Sequence, residues 1–389
     1  MDPNEKLSLK YRTMRRIRRR RAAAPFVYLI AALLLIGVCV LLKLLPKKST
    51  GREYDGIAGT GRFTATFTGN INCVGDGTVI DSEGYEEYFA GVRSIFERAN
   101  VVSVPINDPI IEDSVETYQS GMSVKFAEKY FNSTFPTALF DLGVKDATIC
   151  NKDIFRYGSK GVLETSRLLE SAHASVVNGP DDAGGITVSG IDPSASADAA
   201  VYSRIYDETS GITILHVGIE ASDDRLRSYG SYDVRTYNDR DNNLSRDISD
   251  LREQNPDAFI AVTVSWGEYY LLKPSSYMRN ICRMLIDNGA DVVIGTGIQM
   301  VLSAEKYGDG YIFYGLGNLV SDEAYTMTQR GAILNCVFNE DGVVYELVPL
   351  SVKGGYPTIS DSKLILRTLV SDIGGEAEYT VENGKLIIK

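Results

Sequence analysis

AFIAVTVSWGEYY, residues 258–270, is the stretch that decides the fold reading. Ala258 to Val264 is a short apolar run with β-branched residues, and Ser265-Trp266-Gly267 ends it. Such a run bounded by turn residues predicts a buried strand. Downstream, Pro274 opens a helix whose apolar side is Ile281, Met284 and Leu285, and Gly289 closes it. DVVIG (291–295) and YIFYG (311–315) predict two more apolar strands. Each runs into a polar, glycine-bearing segment, Gly295 to Val301 and Gly315-Leu316-Gly317-Asn318. Strand–helix–strand alternation with polar residues at the strand ends is the pattern of an α/β domain with its site at the carboxyl edge of a sheet.

The pattern extends upstream. Phe63, Ala65 and Phe67 alternate with threonine and end at Thr68-Gly69-Asn70. Tyr88, Phe89, Val92, Ile95 and Phe96 recur at helical spacing, VVSVPI (101–106) reads as a strand, and 123–142 as a helix broken near Pro136. ATIC (147–150) is a short strand leading to Asn151-Lys152-Asp153, and 160–172 reads as a helix. Residues 179–200 suggest a surface loop, ITILHVGI (212–219) a buried strand, and 241–254 a helix. The last third changes to hairpins, around Asn339-Glu340-Asp341-Gly342 and around Asn383-Gly384. The expectation is α/β: a layered α/β sandwich with mixed β-sheets.

Charge divides the 389-residue chain in two. Residues 1–50 hold 12 Lys/Arg against two Asp/Glu, so the remaining 339 hold 28 against 49, a formal charge of −21. A protein built to bind nucleic acid on a broad basic face needs the opposite balance, so no nucleic-acid partner is expected. Nine basic residues lie between Lys6 and Arg21, followed by an uncharged run from Ala22 to Leu42. At about 1.5 Å per residue its 21 residues reach roughly 30 Å, the hydrocarbon thickness of a bilayer. No small-x-small site precedes Lys47-Lys48, so an uncleaved anchor is expected rather than a signal peptide. The positive-inside bias then makes 1–21 a basic cytoplasmic tail, 22–45 a single-pass transmembrane helix in contact with membrane lipid, 46–60 a linker and the rest extracytoplasmic. The main domain is expected over 61–357, with 358–389 a helix-and-hairpin extension.

Chemistry-bearing residues are sparse. There are two histidines, His173 and His216, and neither falls at a strand-end motif. The five cysteines show no C-x-x-C spacing. Cys73 and Cys150 lie near the expected cleft; a disulfide is one reading, and buried free thiols, with Cys282 and Cys336, the preferred one. No G-x-S-x-G elbow, P-loop or G-x-G-x-x-G is present.

The order of the strand-end segments resembles the CapA family, linked to capsule and poly-γ-glutamate synthesis, a family similar to the calcineurin-like metallophosphoesterases. The resemblance runs from about residue 63 to residue 357. It is strongest where VTVSWGEYY, DNGADVVIG and YIFYGLGNLVSDE follow the family phrase by phrase. The resemblance implies a metal-site pattern, from which this chain departs. The family's Thr-Gly-Asp reads Thr68-Gly69-Asn70, and its Asn-Leu-Glu falls on Pro105-Ile106-Asn107. Its Asn-Asn-His, with an Asp three residues on, falls on Asn151-Lys152-Asp153 and Arg156. His-Trp-Gly reads Ser265-Trp266-Gly267, and Gly-His-x-x-His lands on Gly295 to Gln299, with Thr296 and Gln299 at the histidine positions. Ser-Leu-Gly-Asn-Phe survives as Gly315 to Leu319, keeping Asn318.

A two-metal phosphoesterase centre needs several imidazoles and carboxylates. Amides and hydroxyls at these positions predict no catalytic set and no cofactor. A single divalent metal on Asp153, Asn70 and Asn151 is the alternative, and Lys152 is placed to neutralise Asp153. Trp266 is read chiefly as packing, with lining a ligand cleft the alternative. The leading expectation is a membrane-anchored, non-catalytic CapA-like protein that assists synthesis, export or anchoring of a surface polymer, among membrane proteins of that machinery. Its alternatives are a metal-dependent hydrolase with an altered site and a surface module that reuses the cleft for a ligand. The charge of −21 argues against direct tight binding of a polyanion.

Overall fold

The computed structural model describes residues 53–74, 82–112, 129–172, 185–192, 202–221, 235–236, 244–267, 270–373 and 378–389. The expected tail and membrane helix (1–45), and His173, lie outside these residues. Among the described residues no helix is long and apolar enough to cross a membrane.

The principal strands are β1 (Phe63–Phe67), β2 (Asn70–Ile71), β3 (Val101–Pro105), β4 (Val144–Thr148), β5 (Thr187–Ser189), β6 (Tyr202–Tyr206), β7 (Thr213–Ala221), β8 (Phe259–Trp266), β9 (Val292–Thr296), β10 (Ala304–Tyr307), β11 (Gly310–Phe313), β12 (Asn318–Val320), β13 (Arg330–Asn339), β14 (Gly342–Lys353), β15 (Tyr356–Ile359), β16 (Tyr379–Glu382) and β17 (Lys385–Ile388). A nine-stranded sheet runs β16-β17-β14-β13-β1-β3-β4-β5, with β15 also on β14. A six-stranded sheet runs β10-β11-β9-β8-β7-β6. Both are mixed. β1, β3, β4 and β5 are parallel neighbours, whereas β13 joins β1 antiparallel. β7, β8, β9 and β11 are parallel, and the edges β6 and β10 are antiparallel.

Side-chain alternation builds the layers. Successive residues of a strand point to opposite faces. Phe259 and Ala261 therefore enter the core between the sheets, with Phe63, Ala65, Phe67 and Leu334, while Ile260 and Val262 face the helices Leu244–Gln254 and Ser276–Asp287. A third core packs Val102, Val104 and Ile149 under the helices Phe135–Asp141 and Gly158–Glu170. The result is four layers, helix–sheet–sheet–helix, the layered α/β sandwich that the strand pattern predicts.

Several local expectations need correction. Pro136 does not break a helix; it sits in the first turn of Phe135–Asp141, where its missing N–H costs nothing. Residues 131–132, expected to be helical, form a short strand. The described end of the expected linker is docked: Tyr54 is buried, donates to Glu346 and accepts from the Ala58 N–H. Ser275, rather than Pro274, caps the helix Ser276–Asp287 by accepting from the Met278 N–H.

A polar network no motif announces joins the two sheets. Asp146 on β4 is 0% exposed and His216 on β7 is 1% exposed. Asp146 Oδ2 meets His216 Nδ1 at 2.5 Å and accepts from Ser103 Oγ at 2.6 Å. Its Oδ1 accepts from Ser203 Oγ at 2.5 Å and from Thr187 Oγ1 at 3.0 Å. His216 Nε2 pairs with Thr263 Oγ1 at 2.7 Å. An acid–imidazole–hydroxyl chain has the order of a hydrolase triad, but the hydroxyl is buried on β8, closed off from any substrate. Its role is structural. Burial pushes the Asp146 carboxyl up, but His216 and the Ser103 and Ser203 hydroxyls outweigh that and hold it below the usual value of 3.8.

Asp146→Asn is expected to destabilise the protein by about 3–5 kcal/mol, since it leaves His216 buried without its acid. Because the folded value is depressed, the Asp146 contribution is complete above 3.8 and is lost as pH falls through the lower folded value. Urea melts of the wild type and the variant between neutral and strongly acid pH check both points. A variant as stable as the wild type at neutral pH refutes them.

Candidate functional site

The parallel strands of both sheets deliver their polar ends to one side of the domain. A cavity of about 200 Å³ lies there, lined by Asn72, Asp108, Lys129, Asp153, Arg156, Tyr270, Gln299, Ser321, Asp322 and Glu323. Asp108 follows β3, Asp153 follows β4, Gln299 follows β9, and the last three follow β12.

Of the ten residues at motif positions, Asp153 and Gln299 line the cavity. Asn70 is buried and spent on the scaffold: its Nδ2 donates to the Ile298 carbonyl at 2.7 Å and to Asn318 Oδ1 at 3.2 Å, and its Oδ1 accepts from the Gly297 N–H at 2.8 Å. Asn318 Oδ1 also accepts from Asn72 Nδ2, and its own Nδ2 donates to the Thr328 carbonyl. Asn107 Nδ2 donates to Asn72 Oδ1 at 3.0 Å. A chain of side-chain amides thus connects the ends of β2, β3 and β12. Asn151 is a turn residue, donating to the Ile106 carbonyl and accepting from the N–H groups of Asp153 and Ile154.

The other positions face inward. Ser265 and Thr296 are buried. Trp266 is 3% exposed and donates from Nε1 to the Tyr314 carbonyl at 3.1 Å, so it packs in the helix-side core and lines no cleft. The Gly267 carbonyl accepts from Lys152 Nζ at 2.9 Å. Two turns there require glycine. Gly297 has φ +75° and a Cβ would lie 2.5 Å from the Trp266 carbonyl oxygen; Gly317 has φ +68° and a Cβ would lie 2.5 Å from that of Arg330.

Arg156 dominates the electrostatics. It stands where the resemblance predicts an Asp, and its guanidinium pairs with both Asp108 and Asp153, the latter at 3.4 Å. It also donates to the Lys129 carbonyl at 3.1 Å. Asp108, which the sequence reading passed over in favour of Asn107, is 3% exposed and accepts from the Cys73 N–H at 2.7 Å. Burial pushes its carboxyl up, against the pull of Arg156 and the Cys73 N–H. Lys129 Nζ pairs with Asp322 at 3.0 Å. Burial pushes the Cys73 thiol up to about 12, and its neighbour Asp108 adds to this, so no thiolate is available for chemistry. Cys73, Cys150, Cys282 and Cys336 are buried free thiols, so Cys73 and Cys150 form no disulfide.

The donor set does not fit the metal centre implied by the resemblance. The amides of Asn70 and Asn151 already bond backbone, and Asp153 and Asp108 share a guanidinium. Among the described residues no three His, Cys, Asp or Glu side chains stand together to hold a metal ion.

Comparison with known proteins gives the family. The profile described as "Bacterial capsule synthesis protein PGA_cap" matches residues 64–323, two-thirds of the chain. The chain belongs to this CapA family. It is 22% identical to "Capsule biosynthesis protein CapA" of Bacillus anthracis, over 80% of this chain and 73% of that one. It is 23% identical to "PGA biosynthesis protein CapA" of Bacillus subtilis (strain 168), over 79% and 77%. Among solved structures, the sulfate thiohydrolase SoxB of Thermus thermophilus aligns with a TM-score of 0.39 at 10% identity, over 80% of this chain and 60% of that one.

Arg156→Ala leaves the buried Asp108 without its cation. A loss of about 3 kcal/mol is expected at neutral pH, the low end for breaking a buried pair. The deficit shrinks as pH falls and Asp108 takes up a proton, because the neutral acid no longer needs a counter-charge. Denaturant melts at neutral and mildly acid pH test this. An equal deficit at both contradicts the assigned pairing.

Proposed function

We propose that this CapA-family protein is a membrane-anchored, non-catalytic component of the machinery that makes, exports or anchors a capsule or poly-γ-glutamate-type polymer outside the cell. Family membership supports the polymer association. The observation that carries the non-catalytic reading is Arg156, the chain's own cation, between Asp108 and Asp153, two of the four carboxylates of the cleft. A covalently fixed guanidinium neutralises those acids, and it can neither polarise a bound water to hydroxide nor exchange ligands as a metal does. The amide chain Asn70–Asn318–Asn72–Asn107 supports the same reading, because it is satisfied by itself and by backbone.

The membrane reading rests on the uncharged run from Ala22 to Leu42 behind its basic cluster. The domain's formal charge of −21 favours contact with protein partners in the membrane over direct capture of a polyanion.

Two measurements test the proposal. Elemental analysis of the purified full-length chain should find no stoichiometric Mn, Zn or Fe, and the protein should not hydrolyse phosphoesters or amides after loading with those metals. A bound metal pair together with hydrolysis abolished by Asp153→Ala would establish the altered-site hydrolase instead. Separately, the chain should stay with the membrane fraction through an alkaline carbonate wash and become extractable when residues 1–49 are deleted; release of the intact chain by carbonate refutes the anchor.

A further inference from the structure

A lysine is almost never buried without a partner, and Lys385, on the last strand β17, is 2% exposed. Its Nζ is paired with Asp55 Oδ1, in the segment that precedes β1, and stands 5.5 Å from the centre of the Tyr54 ring. The Asn383 carbonyl accepts from the same Nζ at 3.5 Å. Lys385 and Asp55 are 330 residues apart in the chain. Their pair joins the first described segment of the domain to its last strand.

Each partner is held by contacts of its own. Around Asp55, Tyr54 donates to Glu346, and the Ile57 N–H donates to Glu346 Oε1 at 3.1 Å. Glu346 is 0% exposed and also accepts from Asn335 Nδ2 at 2.8 Å. The fit is close: a Cβ on Gly56 would lie 2.0 Å from Glu346 Oε1. On the other side, Leu386 and Ile388 of β17 enter the core between the sheets, and β17 is paired with β14. The amine and the acid are therefore presented to each other by two elements that are already docked.

That arrangement has a chemical consequence. Reacting groups held in good alignment behave as if present at about 10⁵ M or more. Proximity of that order favours an amide that separate amines and acids in water do not form. Burial acts in the same direction, because an ion pair keeps a full positive charge in a poorly solvated place, whereas an amide carries none. The Asp55 side chain is 46% exposed, which gives a departing water a way out. Asp55 makes a further contact as well; the reaction requires only that Nζ reach its carboxyl carbon.

We propose that Lys385 and Asp55 join in an intramolecular isopeptide bond. One proton of the ammonium passes to the carboxylate. The freed lone pair on Nζ then attacks Cγ of Asp55, and the tetrahedral carbon expels a hydroxyl group. This takes a second proton from the nitrogen and leaves as water. One N–C bond forms, one C–O bond breaks, and nothing is oxidised or reduced. The product is a covalent clasp between the two ends of a domain in which the four described cysteines, Cys73, Cys150, Cys282 and Cys336, form no disulfide.

Mass spectrometry of the purified full-length chain, denatured so that an ion pair would part, tests this. The expected mass is that of the sequence less one water. Asp55 is followed by Gly56, and closure of that dipeptide to a succinimide would also lose one water, so a tryptic digest locates the loss. Residues 53–62 should appear joined to 368–389, with no cleavage after Lys385. Lys385→Arg, which keeps the positive charge, and Asp55→Ala should each restore the full mass. A wild-type chain of full mass overturns the proposal. So does a water loss that persists in Lys385→Arg, or a peptide 53–62 that is released unjoined while Lys385 is cleaved normally.

Discussion

The two sheets of this protein are held in register by a buried charge. Asp146 reaches across the interlayer and collects His216 from β7 and hydroxyls from β3, β5 and β6. The apolar contacts around it, of Phe63, Ala65 and Phe67 with Phe259 and Ala261, are non-directional. A carboxylate with four specific donors tolerates no slip, because any shift leaves a buried charge unmatched at a cost of several kcal/mol. The alignment of both sets of parallel strands, and hence the gathering of their polar ends into one cleft, depends on that constraint.

At the cleft the same physics is applied to a different end. An array of carboxylates at strand ends repels itself unless a cation is present, and a metal or a basic side chain can supply one. Here Arg156 does so from within the chain, and side-chain amides link the neighbouring strand ends. Such a site is assembled as soon as the protein folds and needs no ion from solution. It also loses what a metal offers, an exchangeable coordination position at which a substrate or water can react.

Much of this was legible in the sequence. Short apolar strands with polar ends announced the α/β sandwich, because burial on both faces requires an unbroken apolar run, as in AFIAVTV. The hairpin at Asn383-Gly384 was equally plain, since both residues take positive φ there, 49° and 79°. The substitutions at motif positions were also visible as letters. What the letters did not give was direction. Trp266, read chiefly as packing, does pack: the alternation along β8 turns it to the helix side of the sheet, a direction that the letters alone left open. Asn70 and Asn151 carry good ligand atoms, but local backbone groups take them up, and only coordinates reveal where an amide points. Asp108 was missed because a carboxylate next to a strand end is common, and its importance comes from Arg156, far away in sequence. Pro136 misled for a similar reason: proline ends one helix and begins another, and the flanking chain decides which.

Charge ties the cleft to the whole molecule. The domain beyond the basic segment carries −21, and the cleft repeats that sign locally with four acids against two bases. A low-dielectric pocket focuses field, so a small local surplus acts more strongly on a ligand than the same charges spread over the surface. Polyanions are thus opposed twice, at long range by the domain and at contact by the cleft. On the proposed reading, a domain of this sign stands beside an acidic polymer without adhering to it. Arg156 is already committed to Asp108 and Asp153, so an arriving polyanion would have to displace that pairing.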